Sequence, residues 1–395
     1  MIKNLKKYAL IACSLLLLIG CSESEDDIFS HGLKGDGNEN QNKPEVGSTI
    51  TYCAQVWVEK DDLARYGGIK QFRQNLDVMF RNTTSFWNES TNKFNYRFQW
   101  AVGDGDDAIH VYDIDGENTK EKYNAVKNQS DGPFGTLNLE KYDFVLFLAL
   151  SCEKGEGGLS CGGGGRSGQS VVMGYFEKDH DIFTKKWPDL GTFSDLGHEY
   201  GHVRGAQDLY QYMIPAEKNP ISNVAYDYPK CNMGTGSKVW SDYCSAIFNH
   251  FAEKKQITTE MRMSTYPRQM VIRVIKDGAP AERATVNFWG SRASFRDIYN
   301  EPGNSPAFSR KTDNKGEFTV NDVYHMFMPD PNNTYQKLPP KSPIDEFPYS
   351  RWYCFVAEVE LSNGQKKCVW VSDLDIVPEY LNGGQKEPYV FEIAF

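Results

Sequence analysis

The sequence has no excess of positive charge, no Cys-x-x-Cys pair, and no Gly-Lys-Ser/Thr after its glycine-rich stretch. Each absence removes a class of function. Lys and Arg number 43 against 53 Asp and Glu, for a formal net charge of -10, so the basic face a nucleic-acid binder needs is missing. The lack of Cys-x-x-Cys argues against a cysteine-held zinc. Gly155 to Gly168 is rich in glycine but opens no helix and lacks the lysine that reaches phosphates, so it reads as a flexible surface loop rather than a phosphate cradle. No cysteine stands between residues 22 and 48, which excludes latency held by a thiol from that stretch. The apolar run Tyr8 to Ile19 is too short to span a bilayer comfortably.

That run has a different meaning. Lys3, Lys6 and Lys7 precede it, the layout of a secretory signal. It ends Leu18-Ile19-Gly20-Cys21, which resembles a bacterial lipobox. The resemblance implies removal of residues 1–20 and a lipid on Cys21, hence an exported lipoprotein at the outer membrane or cell surface. The acidic run Ser22 to Asp27 resembles surface-export signals that follow such a cysteine. Residues 21–48 are polar and read as a disordered tether. Export permits disulfides, and Cys152/Cys161, Cys231/Cys244 and Cys354/Cys368 are the candidate pairs, leaving Cys53 odd.

The 395 residues suggest two or three domains. From Thr49 the chain becomes globular in pattern. Thr51 to Val58, Phe94 to Trp100, Tyr142 to Leu150 and Ser170 to Phe176 read as strands. Gly68 to Trp87 carries apolar residues at helical spacing. A second helix begins near Ser194 or Asp195, either a competent cap. After Tyr266 the pattern is all-β, with strands at 270–275, 284–289, 317–320, 352–361, 367–371 and 389–395. The stretch from Asp277-Gly278-Ala279-Pro280 to Asp313-Asn314-Lys315-Gly316 resembles the small transthyretin-like or carboxypeptidase-regulatory β-sandwich. The expected domains are thus 49–265 and 266–395.

The chemistry concentrates at residues 198–208, His-Glu-Tyr-Gly-His-Val-Arg-Gly-Ala-Gln-Asp. His198 and His202 are four apart, so a helix sets both imidazoles on one face within reach of one metal. Glu199, beside the first, is placed to hold a water and act as general base. Gly205 can end the helix in the left-handed conformation, letting the chain turn and aim Asp208 at the same ion. An aspartate oxygen binds zinc at about 2.0–2.2 Å. Glu217 and Glu253 are the alternative third ligands. His110, His180, His250 and His325 are isolated and read as structural.

His-Glu-x-x-His-x-x-Gly-x-x-Asp resembles the metzincin signature with aspartate as third ligand, a variant found in snapalysin-like peptidases and in stretches of the immune-inhibitor-A and IgA-peptidase-like families. Cys231-Asn232-Met233-Gly234-Thr235-Gly236 resembles the Met-turn that supports the metal in that clan. No tyrosine follows Met233 at the offset several metzincins use, so Tyr210, Tyr226 and Tyr228 remain open candidates for an oxyanion partner. Trp240 and Tyr243 read as core.

The resemblance implies an α+β chain, a zincin-like catalytic domain followed by an all-β sandwich. It implies a zinc (Zn2+) metallopeptidase that hydrolyses protein or peptide substrates, with Glu199 catalytic, His198, His202 and Asp208 on the metal, and Met233 beneath it. Membrane contact would be through the lipid at Cys21. Oligomeric state and cleavage specificity stay open. Ser170 to Phe176 is a candidate for pairing with extended substrate, or an ordinary core strand. The alternative function is a non-catalytic surface lipoprotein that binds glycan or protein through the β-sandwich.

Overall fold

A computed structural model describes residues 47–115, 119–129, 132, 140–162, 170–178, 180–184, 191–234, 237–292, 296–300, 305–330, 337 and 351–395. The expected signal segment, Cys21 and the tether up to residue 46 lie outside these residues, as do Gly163 to Gly168 of the glycine-rich stretch and Thr235-Gly236 after Met233. Among the described residues, no helix is long and apolar enough to cross a membrane. The chain is a mixed α/β protein with several sheets. It divides into two compact units: the described residues up to Ala206 with Phe251–Thr258, and Gln207–His250 with Thr259–Phe395.

The first unit is built on a six-stranded sheet, in the order β2-β1-β4-β6-β5 with β3 also on β1. Its strands are β1 (Thr49–Glu59), β2 (Arg97–Val102), β3 (Ile109–Tyr112), β4 (Phe144–Cys152), β5 (Gly158–Gly162) and β6 (Val171–Glu177). All pairings are parallel except that of β5 with β6. Parallel strands covered on both faces need apolar residues at successive positions, and Phe144 to Leu150 are all buried. Helices α1 (Lys60–Arg65), α2 (Gly68–Glu89), α3 (Lys120–Lys127) and α4 (Thr192–Val203) complete the unit.

The apolar face of α2 buries Phe72, Leu76, Met79, Phe80, Phe86 and Trp87. Against it lies an aromatic block in which Trp100 meets Trp87 at 4.9 Å, Phe144 at 5.4 Å and Tyr200 of α4 at 4.4 Å. Gly197 explains how closely α4 approaches α2. A Cβ there would lie 2.3 Å from Phe86 Cε1, so any larger residue pushes the helices apart. Helix α4 starts at Thr192, ahead of both Ser194 and Asp195, the two expected caps. Its N-cap is Gly191, and Ser194 Oγ instead donates to the Gly191 carbonyl at 2.6 Å.

Of the two readings left open for Ser170 to Phe176, the structure bears out the ordinary core strand. Strand β6 is interior, hydrogen-bonded to β4 on one side and β5 on the other. Among the described residues the edge on this side is β5, drawn from the stretch expected to be loop; five residues without alternation gave it no periodic signal.

In the second unit, α5 (Asp242–His250) and α6 (Thr259–Met263) precede two sheets. The strands are β7 (Gln269–Lys276), β8 (Ala279–Pro280), β9 (Thr285–Arg292), β10 (Asp297–Ile298), β11 (Phe308–Lys311), β12 (Glu317–Asn321), β13 (Cys354–Glu360), β14 (Lys366–Ser372) and β15 (Tyr389–Ala394). One sheet runs β10-β9-β13-β14 with β11 on β9, and the other β12-β7-β15 with β8 on β7. Phe288 of β9 stacks on Phe308 at 4.3 Å and meets Phe318 of β12 edge-on at 6.2 Å, joining the two sheets. The stretch expected to be all-β also holds α7 (Val323–Phe327) and α8 (Asp373–Asn382). Ser372 caps α8 by accepting from Leu374 N–H at 3.1 Å, and α8 packs against α5.

Of the three cysteine pairs, one has its sulfurs in contact. Cys231 and Cys244 lie 3.3 Å apart, both buried. Cys354 is opposite Ser372 and Cys368 opposite Glu358, four residues along the strand, or about 13 Å at strand rise. Cys152 and Cys161 sit on strands separated by β6 and out of register across it. Neither of these pairs can bridge without moving the backbone.

Candidate metal centre

Helix α4 is buried along nearly its whole length. His198 is 8% exposed, Glu199 2% and His202 5%. Two positions of the helix fix its rotation: Gly197 lies against Phe86, and Tyr200 lies in the aromatic block. With those turned to the core, the i, i+4 pair His198 and His202 shares another face. Their ring centroids are 5.0 Å apart with planes at 83°.

The helix then stops as the glycine requires. Gly205 has φ +91°, a left-handed value that costs a side-chain-bearing residue about 1 kcal/mol or more. Gly205 N–H donates to the His202 carbonyl at 3.0 Å and Ala206 N–H to the Gly201 carbonyl at 3.0 Å. This crossed pair is a Schellman turn, which satisfies two carbonyls the helix end would leave open. The same turn orients a candidate ligand. His202 Nδ1 lies 3.1 Å from the Ala206 carbonyl, which only accepts, so the ring holds its proton on Nδ1 and keeps the Nε2 lone pair for a metal.

Beyond the turn, Asp208 has an extended backbone (φ -64°, ψ 111°) and opens a 3-10 turn, Leu209–Tyr212. Its carboxylate makes no capping bond to that turn. His198, His202 and Asp208 each offer a ligand atom, and these atoms all lie within 4.8 Å of one another. Two imidazoles and a carboxylate, largely buried, match the donor set of zinc, and three protein donors leave a further position for water or substrate. Glu217 and Glu253, the alternative third ligands, are exposed and outside this group.

Met233 is fully buried, and its carbonyl accepts from Leu209 N–H at 2.7 Å, tying the turn to the residue after Asp208. A Cβ on Gly234 would lie 2.2 Å from Tyr228, so the glycine lets that ring close over the turn. Tyr226 instead bridges Ile214 by backbone and packs on Trp370 at 5.1 Å. Trp240 and Tyr243 are buried, as core residues would be. The isolated histidines have other partners: His110 stacks on Trp57, His180 Nε2 meets Thr192 Oγ1, His250 meets Ser264 and His325 meets Asp322.

Arg204 was invisible as a special residue in the sequence. It is completely buried. Its guanidinium donates to the carbonyls of Phe251 and Lys254 and lies 4.1 Å from the Tyr52 ring, whose hydroxyl donates to the Ala252 carbonyl. Burial pulls its pKa below the usual value for arginine.

No family model matches the chain, and no curated protein does. Among solved structures, it matches mirolysin in complex with compound 9, at 14% identity and a TM-score of 0.32, over 54% of this chain and 96% of that one. An overlap of that score bears on neither the fold nor the function of this chain.

Proposed function

We propose that the chain is a zinc-dependent peptidase, with the metal held by His198, His202 and Asp208 and with Glu199 as general base. The observation that carries the reading is the gathering of those three donors within 4.8 Å. Zinc in such a set supplies a Lewis acid that brings the pKa of water down to about 7. Glu199 follows His198 on the same buried helix. It takes the proton of the attacking water and returns it to the departing amine. His202, fixed by the Ala206 carbonyl, holds its donor atom in place without reorganising.

Strand β5 packs beside α4 and, among the described residues, pairs on one side alone. Its other edge offers main-chain groups to an extended peptide, which makes a polypeptide the natural substrate. We propose further that the chain is exported and lipid-anchored at Cys21, on the lysines, apolar run and Leu18-Ile19-Gly20-Cys21 of its first residues.

The mature protein should contain zinc and should cleave a mixed peptide library in a chelator-sensitive way. Zinc bound with no cleavage would sink the peptidase reading. Labelled fatty acid should be incorporated by wild type and not by Cys21→Ala; equal labelling would remove the anchor.

A further inference from the structure

The segment that carries Asp208 is held by three anchors. Gln207 Nε2 donates to Tyr243 Oη of α5 at 2.8 Å. Leu209 N–H donates to the Met233 carbonyl at 2.7 Å. The third anchor comes from far along the chain. Tyr212, fully buried at the end of the 3-10 turn, donates its hydroxyl to Asp373 Oδ1 at 2.8 Å. Asp373 is itself fully buried in the first turn of α8. Its other oxygen accepts from Tyr266 Oη at 2.7 Å and from Arg351 Nη2 at 2.9 Å, and Arg351 Nη2 also donates to Tyr212 Oη at 2.9 Å. Tyr353 stacks beneath the guanidinium at 4.5 Å.

A buried carboxylate is costly unless paired and hydrogen-bonded, and here one arginine and two phenols satisfy it together. Such a network has one low-energy arrangement, so it fixes the Tyr212 hydroxyl and, through a short 3-10 turn, the start of that turn at Asp208. Gln207 and Leu209 hold the backbone on either side of Asp208, and the clamp adds a fixed point at the far end of the turn that Asp208 opens, narrowing the positions its carboxylate can take.

We infer that Asp373, through Tyr212, is a positioning residue for Asp208, so that the third metal ligand is set by the C-terminal helix α8. The inference rests on the metal reading above. It assigns the C-terminal region a part in building the site, where the sequence pointed only to a separate β-sandwich.

The test compares wild type, Asp373→Asn and Tyr212→Phe, with His202→Ala and a core control, Val286→Ala in β9. Zinc affinity is measured by competition with a chromophoric chelator, and the visible spectrum of the cobalt(II)-substituted protein reports ligand geometry. Tyr212→Phe removes only one hydroxyl, so it serves where Asp373→Asn fails to fold. Both clamp variants should weaken zinc by about ten- to a hundred-fold and alter the cobalt spectrum. Val286→Ala should lower Tm with affinity and spectrum unchanged. Wild-type affinity and an unaltered spectrum in a folded Tyr212→Phe would overturn the inference while leaving the metal site standing. No zinc binding by wild type, and none lost in His202→Ala, would overturn the metal reading and this inference with it.

Discussion

Glu199 and Gly205 play different parts within one eleven-residue stretch, and their substitutions should separate chemistry from geometry. Glu199→Ala removes the proposed base but none of the three candidate donors, so zinc should remain bound while turnover falls by about 10²–10⁴. Loss of the metal from that variant, measured by elemental analysis, would show that Glu199 is needed for the site itself. Gly205→Ala forces a Cβ into φ +91°, costing about 1 kcal/mol in Tm-derived stability. It also disturbs the turn that aims Asp208, so zinc affinity should drop further than the stability change alone implies. Gly197→Ala acts elsewhere. The new Cβ meets Phe86, and the overpacking should cost about 1–3 kcal/mol in urea unfolding.

At the scale of elements, α4 depends on a residue just past its end. Arg204→Met keeps the length but leaves the carbonyls of Phe251 and Lys254 without their donor, so chemical denaturation should report about 2–4 kcal/mol lost. The contact of Cys231 with Cys244 bears on the turn that holds Met233. In an oxidising medium, exchange with an oxidised dithiol partner closes this pair, both protons and both electrons passing to the partner. A loop of this length should add about 3 kcal/mol, seen as a lowered Tm in reductant and a linked peptide in non-reducing mass analysis. Unlinked peptides from oxidised protein would refute it.

What the sequence revealed at this scale follows from periodicity and span. Helix α2 and strands β1, β4, β7 and β13 were legible because each repeats its apolar pattern over many residues. The edge strand β5 and the two-residue strands β8 and β10 are too short for any period to emerge. Helix α8 carries Pro378 inside it and follows a strand directly, so its pattern merged with the strand before it. The candidate donors were legible because all lie within one short stretch whose spacing is their geometry. Arg204 and Asp373 were not, since what makes them special is a set of partners distant in the chain.

For the whole molecule, the division of the chain differs from the break near residue 265 that the change to β-rich sequence suggested. Gln207–His250 belongs with Thr259–Phe395, and Phe251–Thr258 with the preceding unit. A chain ended after Thr265 would keep the His-Glu motif but lose Arg351 and Asp373, leaving Tyr212 buried polarity with no partner. Limited proteolysis should therefore cut residues 207–250 of that truncation while sparing them in the full chain. Equal protection in both would show that the segment folds without its C-terminal partners.

The clamp also imposes an order in time. Asp373 follows Tyr212 by 161 residues, so at a synthesis rate of roughly 5–20 residues per second it leaves the ribosome on the order of ten to thirty seconds later. Through that interval the nascent chain has both histidines, Glu199 and Asp208, but the turn that follows Asp208 lacks its clamp. A nascent chain released before Asp373 emerges should therefore bind zinc about ten- to a hundred-fold more weakly than the finished protein.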